Sequence, residues 1–426
     1  MSITRRTLLK MSGAGALLPR RASAQPGAPS DSNPLGVRAD FPITSERGVY
    51  LDTAYIGPTP QVVADAGTAF LEAKCSRPIS LPDMQAKADH VRVQFARLIN
   101  ASPDDVGLLS ATSEGENLVA GALDLKPGDN VVIDELHYQT EFVLFRQLEQ
   151  RRGIELRIAR HNRGAVTPAD FEPLVNRRTR LLSVALVSHQ NGFRHDLKPL
   201  ADLAHAHGAW LYTDAIQAMG AVAIDVRANG VDALCSGTYK WLHAGFGVAP
   251  FYVRQELVER FTLDRWGALH VERTRPGYHY DIFRTARKFE YATLAFGAVY
   301  QLAAALDYLE KIGIARIEAH TSTLASRLQR GLRERGLDVL TPQATRSPIV
   351  AFRVRGDAAV ARKVVQDADI KVSFRENGTQ IRVSPGMFNT AGDIDRFLAV
   401  AERLLASNRR DRIQPKSPPR RPRTAR

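Results

Sequence analysis

Trp210-Leu211-Tyr212-Thr213-Asp214-Ala215-Ile216-Gln217 reads as a short apolar strand that ends in an acid. In open parallel sheets, ligands collect at the carboxyl ends of strands. A carboxylate there is equally suited to capping the helix that follows, so the stretch has to be read with its surroundings. Apolar runs at Val131-Val132-Ile133, Ile154-Glu155-Leu156, residues 181–187 and Ala233-Leu234-Cys235 predict further strands. Between them, residues 118–123, 141–151 and 197–207 carry apolar side chains at helical spacing. This alternation predicts an α/β fold, a mainly parallel sheet with helices on both faces.

Beyond residue 294 the pattern changes. Two helices over 294–312 and 314–335 lead into a strand at 349–354, a helix at 358–367, strands at 370–374 and 380–384, and a last helix at 391–405. That order predicts a smaller C-terminal α/β domain. The expected organisation is a leader over 1–25, a linker over 26–47, a large domain over 48–300, a small domain over 301–406 and a basic, disordered tail over 407–426.

Twenty-six residues after Asp214 stands Lys240, in Cys235-Ser236-Gly237-Thr238-Tyr239-Lys240-Trp241-Leu242. Lysine is mostly a solvated surface residue. Here it lies among hydroxyls and aromatics in a stretch poor in other charge, with Gly245 and Gly247 following. A partly desolvated lysine loses proton affinity and becomes available as a neutral amine. Ser236, Thr238 and Tyr239 offer hydroxyls to an anion. Upstream, Ser110-Ala111-Thr112-Ser113-Glu114-Gly115-Glu116-Asn117 places hydroxyls at the start of a helix, the setting of a phosphate cradle as well as of an ordinary cap. In Asp134-Glu135-Leu136-His137-Tyr138, His137 or Tyr138 is able to stack on a planar ligand.

In order and spacing these elements resemble the class V aminotransferase family of fold-type I enzymes, which use pyridoxal 5'-phosphate (PLP) and include cysteine desulfurases, kynureninases and isopenicillin N epimerase-like proteins. The resemblance spans residues 48–405 and implies a seven-stranded-type sheet. It also implies that Lys240 forms the Schiff base with PLP, that Asp214 pairs with the ring nitrogen, that Gln217 faces the ring hydroxyl and that His137 stacks. Thr112, Ser113 and Tyr239 would hold the phosphate, for which the hydroxyls of Ser236 and Thr238, in the same stretch as Lys240, are candidates as well. Arg382, in Gln380-Ile381-Arg382-Val383-Ser384, would grip a substrate carboxylate, with Tyr55 also on the substrate side. Thr293, in Glu290-Tyr291-Ala292-Thr293, would reach the phosphate of a partner subunit, which implies a homodimer with composite sites. His189 stands where many members have an asparagine near the cofactor. No metal ligand set is implied.

The first reading of the activity is an aminotransferase-like enzyme acting on an amino-acid-like amine. Epimerase or lyase chemistry is the alternative on the same scaffold, and a non-catalytic binding protein is the rival of another class. Desulfurases carry a nucleophilic thiol in the segment matching residues 372–382. This chain has only Cys75 and Cys235, so a desulfurase is not expected.

Net charge is +13, but residues 1–25 and 409–426 carry 12 of those charges. The part between is nearly neutral, which argues against a nucleic-acid-binding face. Thr4-Arg5-Arg6-Thr7-Leu8-Leu9-Lys10, a short apolar run and Ala22-Ser23-Ala24 resemble a twin-arginine export signal with its cleavage site. The expected location is therefore periplasmic, reached through the twin-arginine machinery and without a membrane span.

Overall fold

The computed structural model describes residues 32–45 and 48–413. The expected leader and residues 414–426 of the expected tail lie outside the described residues. Seven strands form the central sheet: β1 (Val106–Leu109), β2 (Asn130–Asp134), β3 (Glu155–Ala159), β4 (Thr179–Ala185), β5 (Trp210–Asp214), β6 (Ala233–Cys235) and β7 (Ala249–Val253). Their order is β1-β7-β6-β5-β4-β2-β3, so β5 is central. Strands β2 to β6 pair in parallel, while β7 runs antiparallel to both neighbours. The α/β fold with a mainly parallel sheet is thus as expected. Strands β1 and β7, absent from the sequence reading, are masked by Gly107 and Pro250, two residues that weaken a strand pattern.

Because side chains alternate along a strand, each strand feeds two cores. Val132, Leu182, Val184 and Leu211 pack into one cluster. Their neighbours Val131, Ile133, Leu181, Trp210 and Tyr212 pack into the other. The helices around the sheet include α1 (Gln61–Ser76), α2 (Leu81–Ile99), α3 (Thr112–Ala122), α4 (Gln139–Arg152), α5 (Leu197–Ala206), α6 (Phe296–Ile312) and α7 (Ile314–Glu334). Among the described residues no helix is long and apolar enough to cross a membrane.

The smaller C-terminal part is a four-stranded antiparallel sheet of β8 (Asp338–Val339), β9 (Val350–Arg353), β10 (Ser373–Arg375) and β11 (Gln380–Val383), in the order β8-β9-β11-β10. Helix α7 packs on it with α8 (Ala358–Gln366) and α9 (Ala391–Ile413) around Leu328, Phe352, Ile381 and Phe397. One expected strand over 370–374 is two. Ile370–Lys371 pairs in parallel with Val49–Tyr50, whereas Ser373–Arg375 pairs with β11, so the chain changes sheet at Val372. Helix α9 continues through Ile413, which corrects the expectation of a disordered tail from residue 407.

Residues 32–45, read as linker from their polar composition, are docked. The Asn33 amide donates to the carbonyls of Met387 and Asn389 at 2.7 and 3.0 Å, and Arg38 pairs with Asp393 at 2.7 Å. Phe41 is fully buried, with its ring centroid 4.8 Å from that of Phe388. One aromatic residue outweighs the composition around it.

Arg92 of α2 and Glu290 form a buried ion pair at 2.5 Å, and Glu290 Oε1 also accepts the N–H of Leu108 in β1 at 2.9 Å. Among the described residues, removing Glu290 leaves the buried Arg92 with only the exposed Asp89, at 2.5 Å, as counter-charge, and leaves the Leu108 N–H without its acceptor. Glu290→Ala should therefore lower unfolding free energy by about 3–5 kcal/mol in chemical denaturation. A loss under about 1 kcal/mol would show that the pair is solvated.

Candidate active site

The site is built around the loop between β6 and β7, which carries Lys240. Thr238 Oγ1 donates to the carbonyls of Gly245 and Val248, at 2.6 and 3.1 Å, and folds this loop onto itself. Two glycines let other backbone reach it. Gly57 N donates to Tyr239 O at 2.9 Å, and a Cβ on Gly57 would lie 1.7 Å from Lys240 O. Gly220, at φ +93°, passes so close that a Cβ would lie 2.3 Å from Trp241 O. Larger side chains cannot occupy either place.

Lys240 then lines a cavity of about 260 Å³ together with Thr112, Ser113, Tyr138, His189, Asp214, Gln217 and Tyr239. Asp214 ends β5, and its Oδ1 accepts the N–H of Ile216 at 2.9 Å. Burial pushes the Asp214 carboxyl up to about 6, opposed by that N–H and by Lys240. Burial pushes Lys240 down to about 8 against the pull of Asp214, with Arg382 and Arg375 lowering it further. Each group is the other's counter-charge in a dry space. Lys240 Nζ makes no hydrogen bond or close ion pair among the described residues, and lies 5.7 Å from the Tyr239 ring centroid.

At one edge of the cavity, α3 begins at Thr112. The first N–H groups of a helix have no partner within it, and they point at whatever lies beyond. Gly237 N donates to Thr112 Oγ1 at 2.8 Å, fixing the Lys240 loop against the start of α3, and Ser113 Oγ meets Thr140 Oγ1 at 3.2 Å. Tyr239 stacks on Phe246, with centroids 4.3 Å apart. His189 sits edge-on to Tyr138, and its Nδ1 is buried without a hydrogen-bond partner. Burial, with nearby Arg375 and Arg382, holds its imidazole well below the usual range and therefore neutral.

Several expected residues are placed differently. His137 does not line the cavity. It is buried behind it, its Nδ1 accepting the N–H of Tyr138 and its Nε2 lying 3.3 Å from Ser183 Oγ, and burial pushes it down to about 4. Tyr138, the next residue, takes the exposed position, because the turn after β2 directs one side chain in and the next out. Ser236 and Thr238 are also off the cavity, their hydroxyls committed to carbonyls of their own loop. Gln217 lines the cavity, but its amide already donates to Ala54 O and accepts from Trp241 Nε1, both at 2.9 Å. Thr293 is exposed in a separate cleft that shares Ser110 and Gly247 with the first. Tyr55 is largely exposed and absent from the lining.

Arg382 is buried behind His189. It donates to His189 O at 2.8 Å and to Ser373 Oγ at 3.1 Å, and lies 3.8 Å from Asp52. Burial pushes it down to about 10, so it stays charged, and its Nε has no partner. Glu116, unassigned in the sequence reading, lines the cavity as well. It lies one helical turn after Thr112, and that i, i+4 spacing was the available signal.

These features fit PLP. A desolvated lysine amine, a buried carboxylate across from it, a helix start with hydroxyls and an aromatic ring all face one space. When bound, PLP supplies an aldehyde for the lysine and an electron-poor ring that stabilises negative charge at a neighbouring carbon.

Comparison with known proteins agrees with this geometry. The Aminotransferase class-V family model matches residues 49–397. A probable cysteine desulfurase of Methanothermobacter thermautotrophicus is 32% identical over 299 residues, covering 68% of this chain and 74% of that one. A cysteine desulfurase of Klebsiella pneumoniae is 29% identical over 395 residues, covering 86% and 97%. The solved cysteine desulfurase of Thermococcus onnurineus NA1 superposes with a TM-score of 0.80 at 25% identity, covering 88% of this chain and 99% of that one. These similarities overturn two expectations, that the enzyme is a transferase and that a desulfurase is out of place here. The chain belongs to the class V aminotransferase family of PLP-dependent enzymes.

Proposed function

We propose that this enzyme cleaves a carbon–sulfur bond in a cysteine-like amino acid. The observation that carries the reading is the pairing of Lys240 and Asp214 across one buried cavity, in a chain whose relatives are named cysteine desulfurases. Lys240 holds the cofactor aldehyde through its amine and moves the proton at the substrate's α-carbon. Asp214, ionised above about pH 6, keeps the ring nitrogen protonated. The start of α3, with Thr112, Ser113 and Tyr239, receives the phosphate, and Tyr138 covers the ring. His189, neutral, lines the same cavity edge-on to Tyr138. Arg382, buried behind His189 and off the cavity lining, adds positive charge close enough to act on Lys240, which favours an anionic substrate without a direct contact.

The direct test is to offer L-cysteine and L-cystine to the loaded enzyme and assay sulfide, persulfide, alanine and pyruvate. Release of sulfur with either carbon product supports the reading. Conversion to the keto acid with sulfur retained, or no turnover of any sulfur amino acid, overturns it. Lys240→Ala should abolish the near-visible absorbance band of bound cofactor and reduce turnover by at least about 100-fold. A variant that keeps the band would remove Lys240 from its role.

Cofactor uptake gives a pH dependence. The amine of Lys240 reacts only when unprotonated, and burial holds it at about 8. The rate at which cofactor-free protein acquires the band on mixing with PLP should therefore rise as pH increases through about 8, then level off. An unchanged rate across that range would show that a different amine captures the aldehyde.

A further inference from the structure

Beneath the cavity lie three carboxyls with very few partners. Glu116 of α3 lines the space itself, and its Oε2 is buried with no hydrogen-bond partner among the described residues. Glu141, in the first turn of α4, is 1% exposed, and neither of its carboxyl oxygens has such a partner. Asp214 is the third. The helices that bring the two glutamates in are joined beside them, where Ser113 Oγ meets Thr140 Oγ1 at 3.2 Å. Glu116 is one turn below Ser113, and Glu141 follows Thr140.

The groups facing this trio offer no second cation. Glu116 feels Glu141 and Asp214. Glu141 feels Asp214, the Ser183 hydroxyl of β4, which opposes the rise, and, from the end of β2, Asp134. From β5 the Tyr212 hydroxyl, and from β6 the Cys235 thiol, face the same acids, and Glu114 of α3 also acts on Cys235. Lys240 acts on Asp214. Three carboxylates cannot all be ionised in so dry a place, because each like charge raises the cost of the next. The negative charge settles where it is best compensated. Asp214 has the Ile216 N–H at 2.9 Å and the ammonium of Lys240. Neither glutamate has an N–H donor or a cation.

We propose that Glu116 and Glu141 are each protonated, a neutral pair behind Asp214, acting as positioning residues that confine the negative charge of the cavity floor to Asp214. The proposal rests on Asp214 being the partner of the ring nitrogen, and it is independent of which bond the enzyme breaks. Burial and the neighbouring acids push Glu141 up to about 8 and Glu116 well above its ordinary value, in agreement with the geometry. Two protonated carboxyls cost less to bury than two charged ones, and they leave the field at the cofactor to one carboxylate.

Infrared difference spectroscopy on the cofactor-free protein tests this directly, because a protonated carboxyl has a C=O stretch distinct from that of a carboxylate. The wild type should show such a band at neutral pH, and the part contributed by Glu141 should fade as pH rises through about 8. Glu116→Gln and Glu141→Gln, nearly the same in shape, should each diminish it, and the double variant should remove it. Asp214→Asn takes away a like charge, so the remaining band should titrate at lower pH than in the wild type. Glutamates that are ionised at neutral pH would give neither the band nor the shift. Absence of the band at neutral pH, or a band unaffected by both glutamine variants or by Asp214→Asn, would overturn the proposal. Loss of sulfur chemistry with the infrared behaviour intact would instead count against the proposed reaction alone. After loading with PLP, the glutamine variants should keep the wild-type absorbance band at neutral pH, where the pair is already uncharged. A displaced band there also sinks the idea.

Discussion

The arrangement depends on one electrostatic constraint, the burial of Lys240 and Asp214 in the same low-dielectric space. Either charge alone would be costly there, and each would shed its ionisation. Together they hold each other part-way, with the lysine at about 8 and the aspartate at about 6. That balance yields a lysine able to offer a free amine near neutral pH beside an acid that is still negative. It also explains why so much of the surrounding backbone is stapled. The Thr238 hydroxyl, the contact of Gly57 with Tyr239 and the close passage of Gly220 all fix the Lys240 loop. A lysine free to swing out would regain water and its ordinary proton affinity.

The second constraint ties the C-terminal part to this site. Arg382 belongs to β11, yet it donates to His189 O of the large sheet's loop and approaches Asp52 near the N-terminal strand. Gln380 of the same strand donates to Gln190 O at 2.8 Å. Three distant parts of the chain thus meet at one buried guanidinium. The free Nδ1 of His189 and the free Nε of Arg382 are the polar atoms this meeting leaves unused. Buried polar groups are seldom left so without a function.

The sheet, Lys240, Asp214 and the start of α3 were legible because they follow local rules: alternating apolar runs, an acid at a strand end and hydroxyls before a helix. What could not be read depended on the path of the chain in space. His137 and Tyr138 are neighbours, and only the turn after β2 decides which one enters the cavity. Ser236 and Thr238 have the right chemistry for phosphate, but their loop folds so that they face their own carbonyls. Gln217 has the right position, with its amide already engaged by Ala54 and Trp241. Phe41 shows the opposite error, a residue in a polar stretch whose burial against Phe388 comes from the far end of the sequence.

The reaction was the least legible feature, for a chemical reason. Lys240, Asp214 and Arg382 serve any PLP enzyme that takes a proton from the α-carbon, so they carry no preference between moving an amino group and expelling a leaving group. Preferring a transferase on those residues had no physical basis, and the missing thiol between residues 372 and 382 concerned one route for the sulfur rather than the bond that breaks. Cleavage of a C–S bond needs a stabilised negative charge next to the β-carbon and a group there able to leave with its electrons. A bound PLP ring held protonated by a single carboxylate would meet the first condition. The floor of this cavity, where Asp214 has a backbone N–H and a lysine and the neighbouring glutamates have neither, would suit that task.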